Sequence, residues 1–412
     1  MYFFNTISKI PHIADKIIYR ILIILSQFVF KCKRSHNIDN IFIIADYEKF
    51  GGTRTYLLTL LNFYHKENKK VSVFVKEQHL DIEMQSAIKK LDFNYYVLVS
   101  PLIYRGNRFK LTKRLLSEAY PIWNYFIKQW PDLIVITTAG YFDLLGNIVM
   151  PTRFIYILHS YPREALEKYY RNVLKLSLGN SKKLLTVSNF SKEKILQYWL
   201  LQNQTDHVHV IYNSLEDKNK SQINLEIGPH SLNPTLKVIT LGHAVNYKNP
   251  LLWIEIAKKV IDANKTKNIE FIWVGDGELF DTCCKKVEEL QLNNVLFLGY
   301  HKDVEPFYKD ATIYFQPSLL ESFGLSVLKG MSYKLPCVVS NVGGLPELVI
   351  DGATGFIVEL SDTEVISKKI NTLLHNSALR QEMGEAAYEL YQAKFSYTSW
   401  KNKMVELHQL IN

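Results

Sequence analysis

Short apolar runs rich in β-branched residues recur along the chain, with longer segments of helical periodicity between them. Six runs lie in the first half: IFIIA (41–45), VSVFV (71–75), YYVLVS (95–100), LIVITT (133–138), RFIYIL (153–158) and KLLTVS (183–188). Five lie in the second half: KVITLG (237–242), IEFIWVG (269–275), NVLFLG (294–299), ATIYF (311–315) and PCVVS (336–340). Runs of this length, joined by helical crossovers, predict parallel strands whose sheets are covered by helices on both faces.

The two sets of runs predict an α/β protein with two doubly wound, Rossmann-like domains that face each other across a cleft. The predicted division of the chain is an N-terminal helix (1–36), a first domain (37–212), a linker (213–236), a second domain (237–390) and a final helix (391–412). Ligands of open parallel sheets bind beyond the carboxyl ends of the strands. The loops that follow the predicted strands are therefore the candidate binding loops.

The N-terminal segment has a helical pattern of its own, with its most apolar part at IIYRILIILSQFVF (17–30). Polar residues interrupt this part too often for a membrane span of about 20 residues. A wide apolar face with a thin basic stripe is typical of a helix that lies in a membrane interface. The same pattern suits a helix packed on the protein's own core, and periodicity alone leaves both interpretations open.

Charge is distributed unevenly along the chain. Residues 1–200 contain 29 Lys and Arg against 15 Asp and Glu, a balance of +14, whereas residues 201–412 contain 20 against 25, a balance of −5. A basic half attracts anionic lipid, nucleic acid or an anionic substrate. The chain has no nucleic-acid-binding motif, so we expect no nucleic acid partner and favour an anionic membrane surface or a phosphorylated acceptor.

The segment YRGNRFKLTKRLL (104–116) concentrates five of the cations among aromatic and leucine residues. It suits either a membrane-facing surface or a solvated helix face. The four cysteines, Cys32, Cys283, Cys284 and Cys337, show no zinc or redox spacing, which favours the reducing cytosol. No Asp-x-Asp and no His, Asp or Glu cluster has metal-ligand spacing, so we expect neither a metal nor a cofactor.

The segment ESFGLSVLKG (321–330) combines an acidic residue with a glycine turn and the start of a helical pattern, immediately after a predicted strand. Backbone N–H groups at a helix N-terminus suit a phosphate, and a carboxylate suits a sugar hydroxyl. An ordinary strand–loop–helix connection with a surface glutamate is the alternative interpretation.

Three other strand-end loops carry candidate chemistry. Gly52, in a Gly-Gly pair before a helical pattern, allows close backbone approach to an anion, although a simple turn explains the pair equally well. His159 follows the run RFIYIL and has either a structural role or a contact with substrate. Gly242 ends a predicted strand, and His243 and Lys248 on the next loop are cations able to hold a diphosphate, unless Lys248 is simply solvated.

Taken in order, several segments resemble the family 4 glycosyltransferases of the two-domain B architecture (GT-B). In the second half these are LGHAVNYKN, VGDGEL, VLFLGYHKDV, PSLLESFGLSVLKGM and VGGLPELVIDGATGF, between residues 241 and 356. In the first half the weaker matches are GGTRT, LHS, VSNFSKEKI and VIYNSLE. The final segment FSYTSWKNKMVELHQLI (395–411) is similar to the helix that returns to the N-terminal domain in this family.

The resemblance implies transfer of a sugar from a nucleotide diphosphate-sugar to an acceptor, with retention of anomeric configuration and without a metal. It implies donor binding on the second domain and acceptor binding on the first. By the same resemblance, Glu321 contacts the donor sugar's hydroxyl groups and His159 lies near the sugar. Lys248 and Gly52 contact the phosphates. The turn that holds sugar and phosphates is formed by Phe323, Gly324, Leu325 and Ser326.

The resemblance places Tyr300 and His301 where the nucleobase is held, and it fails at two positions. Lys329 stands where the family usually has a glutamate that binds the ribose hydroxyls, and a lysine only donates hydrogen bonds. His243 stands where the family usually has an arginine, which is always charged. These departures favour, as an alternative, a catalytically impaired glycosyltransferase-like binding subunit.

With the basic first half, the resemblance leads us to expect a cytoplasmic enzyme, peripheral on the inner face of the plasma membrane. The expected acceptor is a lipid-linked or surface-glycan molecule, as in surface polysaccharide biosynthesis. A phosphorylase-like enzyme or an epimerase on the same fold is a further alternative.

Overall fold

The computed structural model describes residues 37–45, 52–76, 80–98, 129–137, 152–162, 178–215 and 235–411. The predicted N-terminal helix (1–36), the basic segment 104–116 and most of the predicted linker lie outside these residues. None of the helices in the described ranges is long and apolar enough to cross a membrane.

The first half of the described chain forms a seven-stranded sheet in which all paired strands are parallel. Its strands are β1 (Asn40–Ala45), β2 (Lys70–Lys76), β3 (Asn94–Leu98), β4 (Leu133–Ile136), β5 (Arg153–Leu158), β6 (Lys182–Thr186) and β7 (Val208–Val210). The spatial order is β3-β2-β1-β4-β5-β6-β7. The accompanying helices are α1 (Gly52–Lys66), α2 (Ile82–Lys90) and α3 (Asn189–Tyr198), with a 3₁₀ segment at Gln202–His207.

The second half forms a six-stranded parallel sheet. Its strands are β8 (Leu236–Leu241), β9 (Ile269–Val274), β10 (Val295–Phe297), β11 (Ile313–Gln316), β12 (Cys337–Ser340) and β13 (Gly355–Val358), in the order β10-β9-β8-β11-β12-β13. The early helices are α4 (Pro250–Asp262), α5 (Phe280–Glu289), α6 (Glu305–Lys309), α7 (Leu325–Ser332) and α8 (Leu345–Leu348). They are followed by α9 (Thr363–His375), α10 (Ser377–Leu390), a π-helical segment Tyr391–Phe395 and α11 (Tyr397–Leu410).

The two parallel sheets with their helices confirm the predicted fold class. Each of the eleven predicted runs contains a strand, whereas the prediction missed β7 and β13. Both are short edge strands without a clear apolar β-branched run, since Val208–Val210 contains His209 and Gly355–Val358 begins with a glycine.

Each sheet has its own aromatic core. In the second half, the ring of Trp253 on α4 contacts Trp273 and Phe297, at centroid distances of 5.5 Å each. In the first half, Phe154 stacks on Tyr156 at 5.8 Å along β5. These cores fix the strands whose carboxyl ends carry the candidate loops.

By contacts, the described residues divide into two units. The first contains the residues up to Val187, Lys192–Ile211 and those from Lys403 onward. The second contains Ser188–Ser191 and the described part of Tyr212–Asn402. Helix α11 thus ends within the first unit, where the Arg153 side chain donates to the carbonyl oxygen of Ile411 at 3.1 Å.

Candidate active site

Two loops of the second unit meet beyond the carboxyl ends of β8 and β11. A 3₁₀ turn at Asn246–Lys248 follows β8, and the backbone N–H of Leu319, after β11, donates to the carbonyl oxygen of Tyr247 at 2.8 Å. The ammonium group of Lys248 donates to the Glu321 carboxylate. Their side chains are only 14% and 15% exposed. The predicted cation and the predicted carboxylate therefore lie together as a partly buried ion pair.

The turn after Glu321 starts helix α7 in the way that the sequence predicts. Gly324 has φ +107°, and a Cβ atom there would lie 2.8 Å from Leu345 Cδ2, so the position requires glycine. The side chain of the preceding residue, Phe323, is buried, and helix α7 begins with Leu325 and Ser326. The first helical N–H groups have no carbonyl to bond within the helix and carry the positive end of its dipole. This end can accept a phosphate.

A glycine pair after β12 is packed directly against the Glu321 loop. The N–H of Gly344 donates to the carbonyl oxygen of Glu321 at 3.0 Å. Gly343 has φ +59°, and a Cβ atom there would overlap that same oxygen. This contact could not be predicted from the sequence, because the glycine pair and Glu321 belong to loops that follow different strands.

Beneath the site, buried polar side chains join neighbouring strands. The Tyr314 hydroxyl donates to Gln316 Oε1 at 2.7 Å, and Gln316 Nε2 donates to Ser318 Oγ at 2.7 Å. Ser326 Oγ also donates to Gln316 Oε1, at 3.3 Å, and Ser340 Oγ donates to the Ser318 carbonyl oxygen at 2.6 Å. Burial raises the pKa of Tyr314, so this phenol remains a donor. These hydrogen bonds hold the start of α7 in place. In the sequence, the network is indicated only by the polar residues QPS, which continue an apolar strand.

Gly242 and His243 follow β8 and lie beside the Lys248–Glu321 ion pair. The carbonyl oxygen of Gly242 accepts from Trp273 Nε1 at 2.9 Å, and a Cβ atom at Gly242 would lie 3.7 Å from Lys248 Cε. His243 Nδ1 lies 3.5 Å from Asp276 Oδ1, with 38% of the histidine side chain exposed. His243 is therefore beside an acidic partner and remains accessible to a ligand.

The three remaining predicted residues of the second unit make aromatic contacts or are exposed. The ammonium group of Lys329 lies 5.6 Å from the centre of the buried Tyr308 ring, whose hydroxyl donates to the Ser326 carbonyl oxygen at 3.0 Å. The His301 ring contacts Phe307 at 4.9 Å. Tyr300 is 49% exposed. Lys329 thus lies over the same tyrosine whose hydroxyl bonds the first turn of α7.

Gly52 and His159 belong to the first unit. Gly52 begins α1, and His159 follows β5 and packs edge-on against Tyr56 of α1, with ring centroids 4.6 Å apart. The Nε2 atom of His159 is buried and has no hydrogen-bond partner among the described residues. Burial lowers the pKa of His159 to about 4, so its ring is neutral near pH 7. Within the described ranges, no group of three or more His, Cys, Asp or Glu side chains could hold a metal ion.

Two family descriptions match the chain, one for each half. "Glycosyltransferase Family 4" matches residues 50–218, and "Glycosyl transferases group 1" matches residues 228–390. Together with the two parallel sheets, these matches show that the chain belongs to the family 4-like glycosyltransferases with the GT-B fold.

Curated relatives match parts of the chain. The "Uncharacterized glycosyltransferase MJ1178" of Methanocaldococcus jannaschii is 30% identical over 229 residues, which cover 55% of this chain and 59% of the relative. The "UDP-Gal:alpha-D-GlcNAc-diphosphoundecaprenol alpha-1,3-galactosyltransferase" of Escherichia coli is 37% identical over 137 residues, covering 32% of this chain and 34% of that protein. The matches therefore span roughly a third to three fifths of these relatives' lengths.

A solved structure shares the fold over most of the chain. Anabaena Alr3699/HepE, in complex with UDP and glucose, superposes with a TM-score of 0.71 at 17% sequence identity, covering 90% of this chain and 99% of that one.

Proposed function

We propose that the protein is a retaining, metal-independent glycosyltransferase that moves a sugar from a nucleotide diphosphate-sugar to a glycan or lipid-linked acceptor. The observation that carries the proposal is the Lys248–Glu321 ion pair, in the same loop system as the N-terminus of α7. A cation and helix N–H groups suit a diphosphate, and a carboxylate suits sugar hydroxyls. The matching family descriptions support this interpretation.

The proposed mechanism depends on stabilising the departing diphosphate. Breaking the anomeric C–O bond places negative charge on the diphosphate and positive charge on the sugar ring. Lys248, the amide groups at the start of α7 and His243 when protonated stabilise that negative charge by preorganised electrostatics. The family resemblance assigns Gly52 a contact with the phosphates as well, because a glycine allows close backbone approach.

Glu321 orients the donor sugar in this mechanism. Its carboxylate is bound to the Lys248 ammonium group, which reduces its nucleophilicity. We therefore assign it to the sugar hydroxyls, while the acceptor attacks on the face that the diphosphate leaves. The leaving phosphate takes the acceptor's proton. The family resemblance assigns His159 a position near the sugar, and its ring is neutral because burial lowers its pKa to about 4.

The proposed acceptor is inferred from the positive charge of the first half of the chain and from the name of one relative. The +14 balance of residues 1–200 suits an anionic membrane surface, and the E. coli relative is named for a diphosphoundecaprenol-linked acceptor. We propose a peripheral position on the cytoplasmic face of the plasma membrane and a role in surface-glycan assembly.

Lys329 favours one second candidate function, a binding subunit with impaired catalysis. Its ammonium group lies over the Tyr308 ring and offers no acceptor to a ribose hydroxyl. A protein that binds nucleotide without turnover would fit this candidate.

The Glu321→Gln variant tests the proposal. We expect wild-type protein to release UDP from a UDP-hexose in the presence of acceptor, and the variant to lose at least about a hundredfold in kcat, because a neutral amide orients sugar hydroxyls poorly. The affinity for UDP, measured by calorimetry, should change little.

Asp351→Asn is the matched control, because Asp351 Oδ1 accepts only a local backbone bond from Ile357 N, at 2.9 Å, away from the Glu321 loop. Unchanged turnover in Glu321→Gln would remove Glu321 from the mechanism. UDP binding without turnover in the wild-type protein would favour the binding subunit.

A further inference from the structure

The carboxylate of Glu347 accepts four hydrogen bonds within the second unit. Three reach Oε2, from the Asn189 backbone N–H at 2.9 Å, from Asn189 Nδ2 at 2.9 Å and from the Tyr212 hydroxyl at 2.9 Å. The fourth reaches Oε1 from the Phe190 backbone N–H, at 2.8 Å. Asn189 Nδ2 also donates to the Tyr212 hydroxyl at 2.7 Å. Such charge-assisted bonds are about twice as strong as neutral ones, so this carboxylate is firmly held.

The short helix α8, which carries Glu347, is attached at its other end to the Glu321 loop. Gly344, the residue before α8, donates to the carbonyl oxygen of Glu321 at 3.0 Å, and Gly343 leaves no room for a side chain beside that oxygen. The apolar side chains of α8 touch Gly324, with Leu345 Cδ2 2.8 Å and Leu348 Cδ1 3.1 Å from where its Cβ would lie. A displacement of α8 would therefore displace the backbone of the Glu321 loop.

Tyr212 provides a second connection to the same loop. Its ring stacks on Phe323 at 5.9 Å and contacts Phe395 edge-on at 5.2 Å. Burial, together with the neighbouring Glu347 carboxylate, raises the pKa of Tyr212, so the phenol stays protonated and donates to Glu347. Glu347 thus orders the turn through the backbone of α8 and through the Tyr212 ring.

We propose that Glu347 is a positioning residue for Glu321: its carboxylate fixes α8 and Tyr212, and these hold the Glu321–Ser326 turn in the geometry that transfer requires. This inference rests on the proposed function, because it assigns Glu347 an effect on the same reaction. The competing interpretation is that Glu347 only caps the N-terminus of α3, which would contribute to stability without affecting the turn.

The test compares Glu347→Gln and Tyr212→Phe with the control Glu359→Gln. Glutamine at 347 replaces one acceptor oxygen by a donor NH₂ group that faces existing donors, and phenylalanine at 212 keeps the ring but removes the hydroxyl that donates to Glu347 and accepts from Asn189. Glu359 also accepts a side-chain bond, from Asn341 Nδ2 at 2.7 Å, but it follows β13 and has no bond to the Glu321 loop. Each variant is measured for Tm, for kcat and KM with a UDP-hexose, for UDP affinity and for backbone amide hydrogen exchange by mass spectrometry.

For Glu347→Gln we expect kcat to fall ten- to a hundredfold, since a small misplacement of catalytic groups costs that much. The affinity for UDP should stay within about twofold. Exchange in peptides covering 319–326 and 343–348 should accelerate, with Tyr212→Phe showing the same changes to a smaller degree. Glu359→Gln should leave kcat and exchange in both peptides unchanged.

A Glu347→Gln variant with a lower Tm but normal kcat and normal exchange at 319–326 would overturn the inference in favour of simple helix capping. If the wild-type protein transfers no sugar, the proposed function fails, whereas the exchange experiment still decides whether Glu347 orders the Glu321 turn. Should Glu347→Gln not fold, Tyr212→Phe gives the same decision, because it keeps the ring and removes only the hydroxyl with its two hydrogen bonds.

Discussion

Lys248 and Glu321 lie 73 positions apart in the sequence and form an ion pair with side chains that are 14% and 15% exposed. At this degree of burial, removing one partner leaves the other charge poorly solvated and unpaired. The pair also joins the group proposed to bind the diphosphate to the group proposed to bind the sugar. Removal of the Lys248 ammonium group is therefore expected to disturb Glu321 as well, whereas a glutamine at position 321 still offers Lys248 an acceptor oxygen.

Lys248→Met should lower the affinity for UDP by roughly ten- to a hundredfold, because a charged hydrogen bond contributes about 1.5–3 kcal/mol and about 1.4 kcal/mol corresponds to a factor of ten. Calorimetric titration with UDP measures the change. Lys258→Met is the control, since the Lys258 ammonium group pairs with Asp262 on an exposed face of α4. Equal UDP affinity in the two variants would contradict a role for Lys248 at the phosphates.

At the scale of elements, α8 and the glycine pair before it depend on close backbone contact. Gly343 and Gly352 both adopt positive φ, +59° and +76°. Their surroundings differ, because a Cβ atom at Gly343 would overlap the Glu321 carbonyl oxygen, whereas one at Gly352 would meet nothing within 4 Å. Substitutions at these two positions therefore distinguish the effect of steric overlap from the effect of backbone conformation.

Gly352→Ala should reduce the free energy of unfolding by about 1–2 kcal/mol, the cost of the left-handed conformation for a residue with a Cβ atom. Gly343→Ala should cost several kcal/mol more, or prevent folding, because backbone atoms must move. Urea denaturation of both variants measures the difference. Similar losses in the two variants would show that the Glu321 loop moves aside easily.

The docking of α11 involves a half-buried neutral histidine. His408 Nε2 lies 3.1 Å from the Tyr64 hydroxyl, and the two rings stack at 5.7 Å. Burial lowers the pKa of His408 to about 4. In the unfolded chain, histidine has a pKa near 6.5, so between about pH 6.5 and 4 the unfolded state binds a proton that the folded state does not. The stability contributed by neutral His408 is therefore lost as the pH falls through this window.

Between pH 7 and pH 5, this difference in proton binding lowers the free energy of unfolding by about 2 kcal/mol. The His408→Gln variant should show a smaller fall in Tm between pH 7 and pH 5 than the wild-type protein, measured by differential scanning calorimetry. His375→Gln is the control, because His375 is exposed at the end of α9. A pH dependence unchanged by His408→Gln would contradict the burial of a neutral ring at this site.

At the scale of the whole molecule, the contrast between a +14 first half and a −5 second half predicts binding to anionic membranes. The full-length protein should bind vesicles containing phosphatidylglycerol and not pure phosphatidylcholine vesicles, and 0.5 M NaCl should weaken this binding. Neutral substitution of the cations of 104–116 should reduce it, since each cation near the surface contributes about 1 kcal/mol. Vesicle sedimentation measures the bound fraction.

A control variant neutralises an equal number of cations in the second half: Lys258, Lys285, Lys286, Lys368 and Lys369. This control should bind vesicles as the wild-type protein does. Equal binding to anionic and zwitterionic vesicles would argue against an electrostatic attachment to the membrane.

Eleven of the thirteen described strands, their parallel arrangement in two sheets and the loops that carry the candidate residues could be predicted from the sequence. Apolar runs and glycine turns are local signals, and each depends on residues close together in the chain. The same signals placed Gly324 at the start of α7, where its φ of +107° requires glycine.

Which loop residues contact one another became evident only from the folded chain. The ion pair of Lys248 with Glu321, the four donors around Glu347 and the Gln316 network join residues from separate strands and helices. The position of Lys329 over Tyr308 likewise followed only from folding. Periodicity fixes local conformation and says nothing about partners up to 158 positions away, whose contacts depend on how the sheets and helices pack.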